Sequence, residues 1–151
     1  ALEALRRYDF DTVLFPFNWH MHMAHGMGSK LIREAKEKGI GVLGMKSMIE
    51  RAWTEEERYA SRYTKSWCRP FDVEKDPELL LAAMKYAFSL GVDTLVPPGN
   101  FDHFSFAVSH IDEALDGEPN DGDRELLTAR LELVRDRPFF EPDVFLARGE
   151  R

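Results

Sequence analysis

Three short strand-like runs, each followed by a helix pattern, limit this chain more than any other feature. They are residues 12–17 (TVLFPF), 40–45 (IGVLGM) and 92–96 (VDTLV). The first is apolar without alternation, which suits a strand covered on both faces, as in a parallel sheet. Pro16 then belongs near a strand end, because it has no N–H for a ladder. The two glycines of the second run point to a close approach of backbone or helix. Ser29 reads as the N-cap of a helix over 29–38 that turns Leu31, Ile32 and Ala35 inward, with Gly39 just past its end. Asp76 and Pro77 mark the next helix start; its inward face is Leu79, Leu80, Ala83, Tyr86, Ala87 and Leu90, and Gly91 ends it. Asn100 caps a helix in which Phe101, Phe104, Val108, Ile111 and Leu115 recur at three- and four-residue steps, the pattern of a core-facing stripe.

The remainder is less regular. Residues 46–75 hold only one helix signal, a capping box of Thr54 and Glu57 within 54–62, and carry Trp53, Trp67 and Phe71. A turn-rich break at 117–122 precedes a final helix from Asp123 to Arg135; its charged stretch over 130–137 reads as a solvated face, and the tail beyond Pro138 as an extended surface segment. Strands alternating with helices predict a parallel sheet with right-handed crossovers, either doubly wound or part of a barrel. No Gly-x-Gly-x-x-Gly follows a strand, so a dinucleotide-binding Rossmann fold has no support.

Composition narrows the function classes. The chain has 151 residues, 44% hydrophobic and 31% charged, which is globular, but a complete (β/α)8 barrel usually takes ~250 residues. A formal charge of −7 without a basic stripe argues against nucleic acid as a partner. No apolar run is long enough for a membrane span, and the first residues do not form a secretory signal. The single cysteine, Cys68, cannot form an internal disulfide, so a cytoplasmic setting is expected.

Three segments together resemble the aldo-keto reductases, especially their bacterial branch. Asp11-Thr12-Val13-Leu14-Phe15-Pro16-Phe17-Asn18 is similar to that family's sixth barrel strand, commonly D-V-V-Q-x-P-Y-N. The stretch from Ala35 to Lys46 (AKEKGIGVLGMK) resembles its sixth helix and seventh strand. The stretch from Ala83 to Pro97 (AMKYAFSLGVDTLVP) resembles its seventh helix and eighth strand, and residues 101–115 take the place of the eighth helix. The resemblance covers residues 1–115, leaving 116–151 as a C-terminal helix and tail. It implies the C-terminal portion of a TIM (β/α)8 barrel, about three parallel strands with flanking helices, plus a helical extension. It further implies an oxidoreductase that moves a hydride between NADP or NAD and a small carbonyl substrate.

The family's catalytic Tyr, Lys, Asp and His come from the first half of its barrel, so no catalytic residue is carried over. The expected partner is therefore the missing N-terminal half barrel or a second subunit, and this chain alone is expected to be inactive. Leu14 stands where the family has a Gln that touches the nicotinamide amide, and Pro97-Pro98-Gly99-Asn100 stands where it has phosphate contacts. The cofactor-binding candidates are Lys46, at a strand's C-terminal end, and Gly99 and Asn100, which open a helix N-terminus.

Two other readings stay open. The chain could be a non-catalytic barrel remnant or interaction module. Alternatively His20, His22 and His25, just past the first strand, carry the His-x-His pattern of metal-dependent hydrolases; the plainer reading is a polar loop at the barrel mouth. Trp53, Trp67 and Cys68 belong to a lid or to local packing, and Cys68 is expected to be inert.

Overall fold

The structure is a computed structural model that describes residues 1–63 and 65–140. Strands β1 (Thr12–Pro16), β2 (Gly41–Met45) and β5 (Thr94–Val96) form a parallel sheet in the order β1-β2-β5. Thr12 pairs with Gly41 and Pro16 with Met45; Leu43 pairs with Thr94 and Met45 with Val96. Helices α1 (Leu2–Arg7), α3 (Ser29–Glu37) and α5 (Pro77–Ser89) accompany these strands. The result is a mixed α/β fold in which β1, β2 and β5 run parallel, each one place further along this sheet. Pro16 closes an edge strand, where its missing N–H costs no ladder bond.

The sheet is covered on one face only. Phe15 and Val42 turn into a buried cluster with Leu5, Leu31, Ile32, Ala35 and Val92. Leu14, on the opposite face, is 53% exposed and Val96 is 40% exposed. The expectation of strands covered on both faces is thus corrected: the covered face packs on helices, and the other leaves Leu14 and Val96 exposed and Leu43 and Met45 half-buried. Gly44 explains the close-approach signal, because a Cβ there would stand 2.8 Å from Val92 Cγ1.

A second cluster lies behind α5. Its buried members include Trp19, Met48, Phe71, Leu80, Met84, Leu127 and Leu131. Leu127 and Leu131 come from α8 (Asp121–Val134), which packs on α5 and gives it a second covered side. Ala82 and Met84 are therefore buried in addition to the inward face read from the sequence.

Several boundaries move. The N-cap of α3 is Gly28, at φ 92, and Ser29 donates its hydroxyl to the Gly26 carbonyl instead. The final helix begins at Asp121, with Asn120 and Asp123 as its capping box. The helix expected over 101–115 divides at His110 into α6 (Phe101–Ser109) and α7 (Ile111–Asp116). Residues 46–75 contain more order than expected. Strands β3 (Ile49–Arg51) and β4 (Arg69–Pro70) form an antiparallel pair that closes the excursion at its base. Helix α4 (Glu55–Ala60) carries the Thr54–Glu57 capping box. The tail expected beyond Pro138 lies mostly outside the described residues.

Arg130 does not lie on a solvated face. It pairs with buried Glu50 and, at 2.7 Å, with Asp76. Glu50 also meets Arg69 at 3.1 Å, and Arg51 grips Glu57 through two bonds of 2.8 and 2.5 Å, which holds the Glu57 carboxyl down to about 2. This ionic cluster ties α8 to the β3–β4 pair. Arg130→Met is expected to lower stability by about 2 kcal/mol, less than for an isolated buried pair because Arg69 remains on Glu50. Thermal unfolding followed by circular dichroism checks it; an unchanged midpoint would make the cluster energetically idle.

Candidate functional site

Strands β2 and β5 run in the same direction, so their C-terminal ends open onto one cleft of about 320 Å³. Met45 and Val96 form its floor and Pro97, Pro98 and Gly99 one wall. Lys65, Ser66 and Trp67 form the opposite wall, with Lys46 and Ile49 between. In a chain of net charge −7, this cleft carries two lysines and no carboxylate among its described lining residues. It is a locally positive, partly aromatic site at the end of the sheet where α/β folds hold ligands.

Lys46 is set there by a strained turn. It is the single non-glycine residue with positive φ, 77°, among the described residues. A left-handed lysine costs about 1 kcal/mol and persists only where its surroundings dictate it. Here they do. Asn18, fully buried, donates its amide to the carbonyls of Lys46 (3.2 Å) and Ile49 (2.8 Å), and the Lys46 carbonyl also accepts the Ile49 N–H at 3.1 Å. Trp19 Nε1 donates to the same Ile49 carbonyl at 2.9 Å. The Lys46 ammonium lies 5.6 Å from the centre of the Phe139 ring. Sequence reading used Asn18 only as the last residue of the strand-like segment that begins at Asp11. Its role needed the contact between residues 18 and 46–49, which no local pattern announces.

The other candidates divide. Gly99 lines the cleft with Lys46. Asn100 does not; its side-chain oxygen caps α6 by accepting the His103 N–H at 3.0 Å and stands 2.7 Å from His103 Nδ1. The opposite ring nitrogen, His103 Nε2, faces the Phe71 carbonyl at 2.8 Å, so this buried imidazole ties α6 to the excursion. Trp67 is exposed at the rim, while Trp53 donates to the Ser66 carbonyl at 2.9 Å and holds that wall from behind. Burial pushes the Cys68 thiol up, so it is not a thiolate nucleophile at neutral pH.

The three histidines belong to a helix, α2 (Trp19–His25), capped by Asn18, and not to a loop. Residues two apart on a helix point away from each other, so His20 and His22 diverge. His20 is fully buried and neither ring nitrogen has a hydrogen-bond partner among the described residues; desolvation first, then the charges of His25 and Arg135, push it down to about 4. His22 bridges the Tyr86 hydroxyl at 2.8 Å and the Ser29 hydroxyl at 3.0 Å. Because Ser29 donates to Gly26, His22 Nε2 donates to Ser29, and Tyr86 donates to Nδ1. Among the described residues no group of three or more His, Cys, Asp and Glu side chains converges as a metal site would require. No described helix is long and apolar enough to cross a membrane.

Compared with protein-family models, with curated proteins and with solved structures, the chain matches none of them.

Proposed function

We infer that this chain is the cofactor-bearing C-terminal part of a (β/α)8 barrel of the aldo-keto reductase type. On this reading the complete barrel transfers a hydride between NADP or NAD and a small carbonyl compound. The observation that carries it is the cleft at the C-terminal ends of two parallel strands, lined by Lys46, Lys65, Trp67 and Gly99. Its two cations suit the phosphates of a dinucleotide, and Trp67 offers an aromatic face to a planar ring. Its size suits one end of such a molecule, since whole-ligand pockets run to ~1,000 Å³. Pro97 and Pro98 bring no N–H, so a phosphate here is held by the lysines and not by a backbone cradle. The nicotinamide, when bound, supplies the hydride. The residues of this chain bind and orient it, and the proton donor comes from strands that adjoin the bare face of the sheet.

Titration with NADPH is expected to quench tryptophan emission to saturation, through Trp67 at the cleft rim. Trp67→Phe should remove most of that change, and Lys46→Glu should weaken binding about tenfold, the loss of one charge-assisted contact. Emission that stays constant up to millimolar NADPH would defeat the cofactor reading and favour a non-catalytic barrel remnant.

A further inference from the structure

The last described residues lie at the rim of the cleft. Beyond α8 the Ala52 N–H donates to the Arg137 carbonyl at 3.3 Å, which ties the chain to the residue that follows β3. Two residues later the Phe139 ring lies 5.6 Å from the Lys46 ammonium, and it packs on the Phe140 ring with centres 3.9 Å apart. Both rings are half-buried. The C-terminal segment is thus delivered to the lysine that the Asn18 amide sets at the end of β2.

The next residues are Glu141-Pro142-Asp143-Val144-Phe145-Leu146. They carry two acids and no base; the first basic residue is Arg148. Pro142 biases Glu141 toward extended backbone, and in an extended segment residues two apart share a side, about 7 Å from each other. Glu141 and Asp143 are therefore presented together, followed by an apolar trio. The cleft is their complement. It holds Lys46 and Lys65 with no carboxylate among its described lining residues, over an apolar floor of Met45 and Val96. Asp143 can stand up to about 10 Å from Phe140 at full extension, far enough to cross a cleft of this size. We propose that residues 141–146 are an internal ligand of the cleft, the carboxylates of Glu141 and Asp143 engaging Lys46 and Lys65 in place of an external anion.

The apolar residues of the segment match the cleft floor and not the sheet edge. The stripe that periodicity assigns to the core of α6 and α7 does face outward, with Phe101, Phe104, Val108 and Leu115 between 54% and 78% exposed beside β5. On the barrel reading that edge is taken by adjoining strands. In the cleft, the tether decides the energetics. A segment joined to the rim acts at millimolar effective concentration, so one that would bind at about 0.1 mM when free weakens a competitor about tenfold. A phosphate-bearing ligand must displace it. This last consequence rests on the cofactor reading; the contact itself does not.

A water-soluble carbodiimide condenses a carboxylate and an amine in direct contact into an amide, with loss of water. Applied to the full chain at low micromolar concentration, it is expected to join Glu141 or Asp143 to Lys46 or Lys65 within single chains, as read by peptide mass. The double variant Glu141→Gln/Asp143→Asn should bind NADPH about tenfold more tightly than the parent. Asp112→Asn/Asp116→Asn removes the same charge from exposed positions on α7, away from the cleft, and should leave that affinity as it was. Lysines 46 and 65 that never link to these acids, or that link only between two chains, overturn the proposal. So does a double variant that binds NADPH no better than the parent. A link that forms in a chain to which NADPH does not bind, parent or variant, would remove the cofactor reading alone and leave the internal ligand in place.

Discussion

Asn18→Ala is expected to lower stability by about 3 kcal/mol, because one buried amide serves three partners. Its oxygen accepts the Met21 N–H at 3.2 Å and so caps α2. Its nitrogen donates to the carbonyls of Lys46 and Ile49. Alanine removes all three bonds and leaves a small void. The two carbonyls keep one donor each, Ile49 N–H for Lys46 and Trp19 Nε1 for Ile49, which keeps the loss from rising further. Asn18→Asp is the sharper variant. It preserves the cap but turns a donor into an oxygen aimed at two carbonyls, so at neutral pH it should be no more stable than alanine. It should recover as acid protonates the carboxyl and restores a donor. Urea unfolding monitored by circular dichroism measures both. An alanine loss below about 1 kcal/mol, or an aspartate variant as stable as the parent at neutral pH, would mean that Asn18 does not hold the Lys46 turn.

Stability is also expected to fall by about 3 kcal/mol between neutral pH and pH ~4, from His20 alone. The folded value is pushed down to about 4, whereas the unfolded chain titrates near the ordinary value of ~6.5. Between these limits the unfolded state binds a proton that the folded state refuses. Stability is therefore full above about 6.5, declines as the pH falls, and levels off once both states are protonated below about 4. Burial pushes His22 and His103 in the same direction, so they steepen the decline. His20→Leu replaces the buried ring with an apolar side chain. It should reduce the acid sensitivity while leaving the share due to His22 and His103. Urea midpoints at intervals from pH 7.5 to 4 give the slope, and equal slopes for parent and variant would refute the assignment.

Local signals in the sequence translated well wherever short-range chemistry decides structure. The Thr54–Glu57 box, Pro77 at the start of α5 and the Asn100 cap all depend on residues within one turn, and all are present. The three parallel strands were equally legible, because apolar runs between helix patterns leave few alternatives. Failures follow from the same physics. Periodicity identified an apolar stripe on α6 and α7, but it cannot say whether a partner covers that stripe. The short helix α2 was hidden because its His and Met residues spell no strong helix signal, and the Asn18 cap looked like the end of a strand. Arg130 looked solvated because its acid, Glu50, lies eighty residues away. Of the residues lining the cleft, Lys46 was singled out from its place at a strand end and Gly99 from its place before a helix, whereas Lys65, on the far wall, came only with the fold.

The antiparallel β3–β4 pair has a bearing on how this architecture can diversify. It fastens the two ends of the excursion, so the residues between Arg51 and Arg69 form a loop closed on itself beside the cleft. Doubling the length of such a closed loop costs only ~0.6 kcal/mol in chain entropy. Ligand preference can thus be rewritten by insertion on that wall, while the parallel strands and the helices behind them go on folding from an unaltered plan.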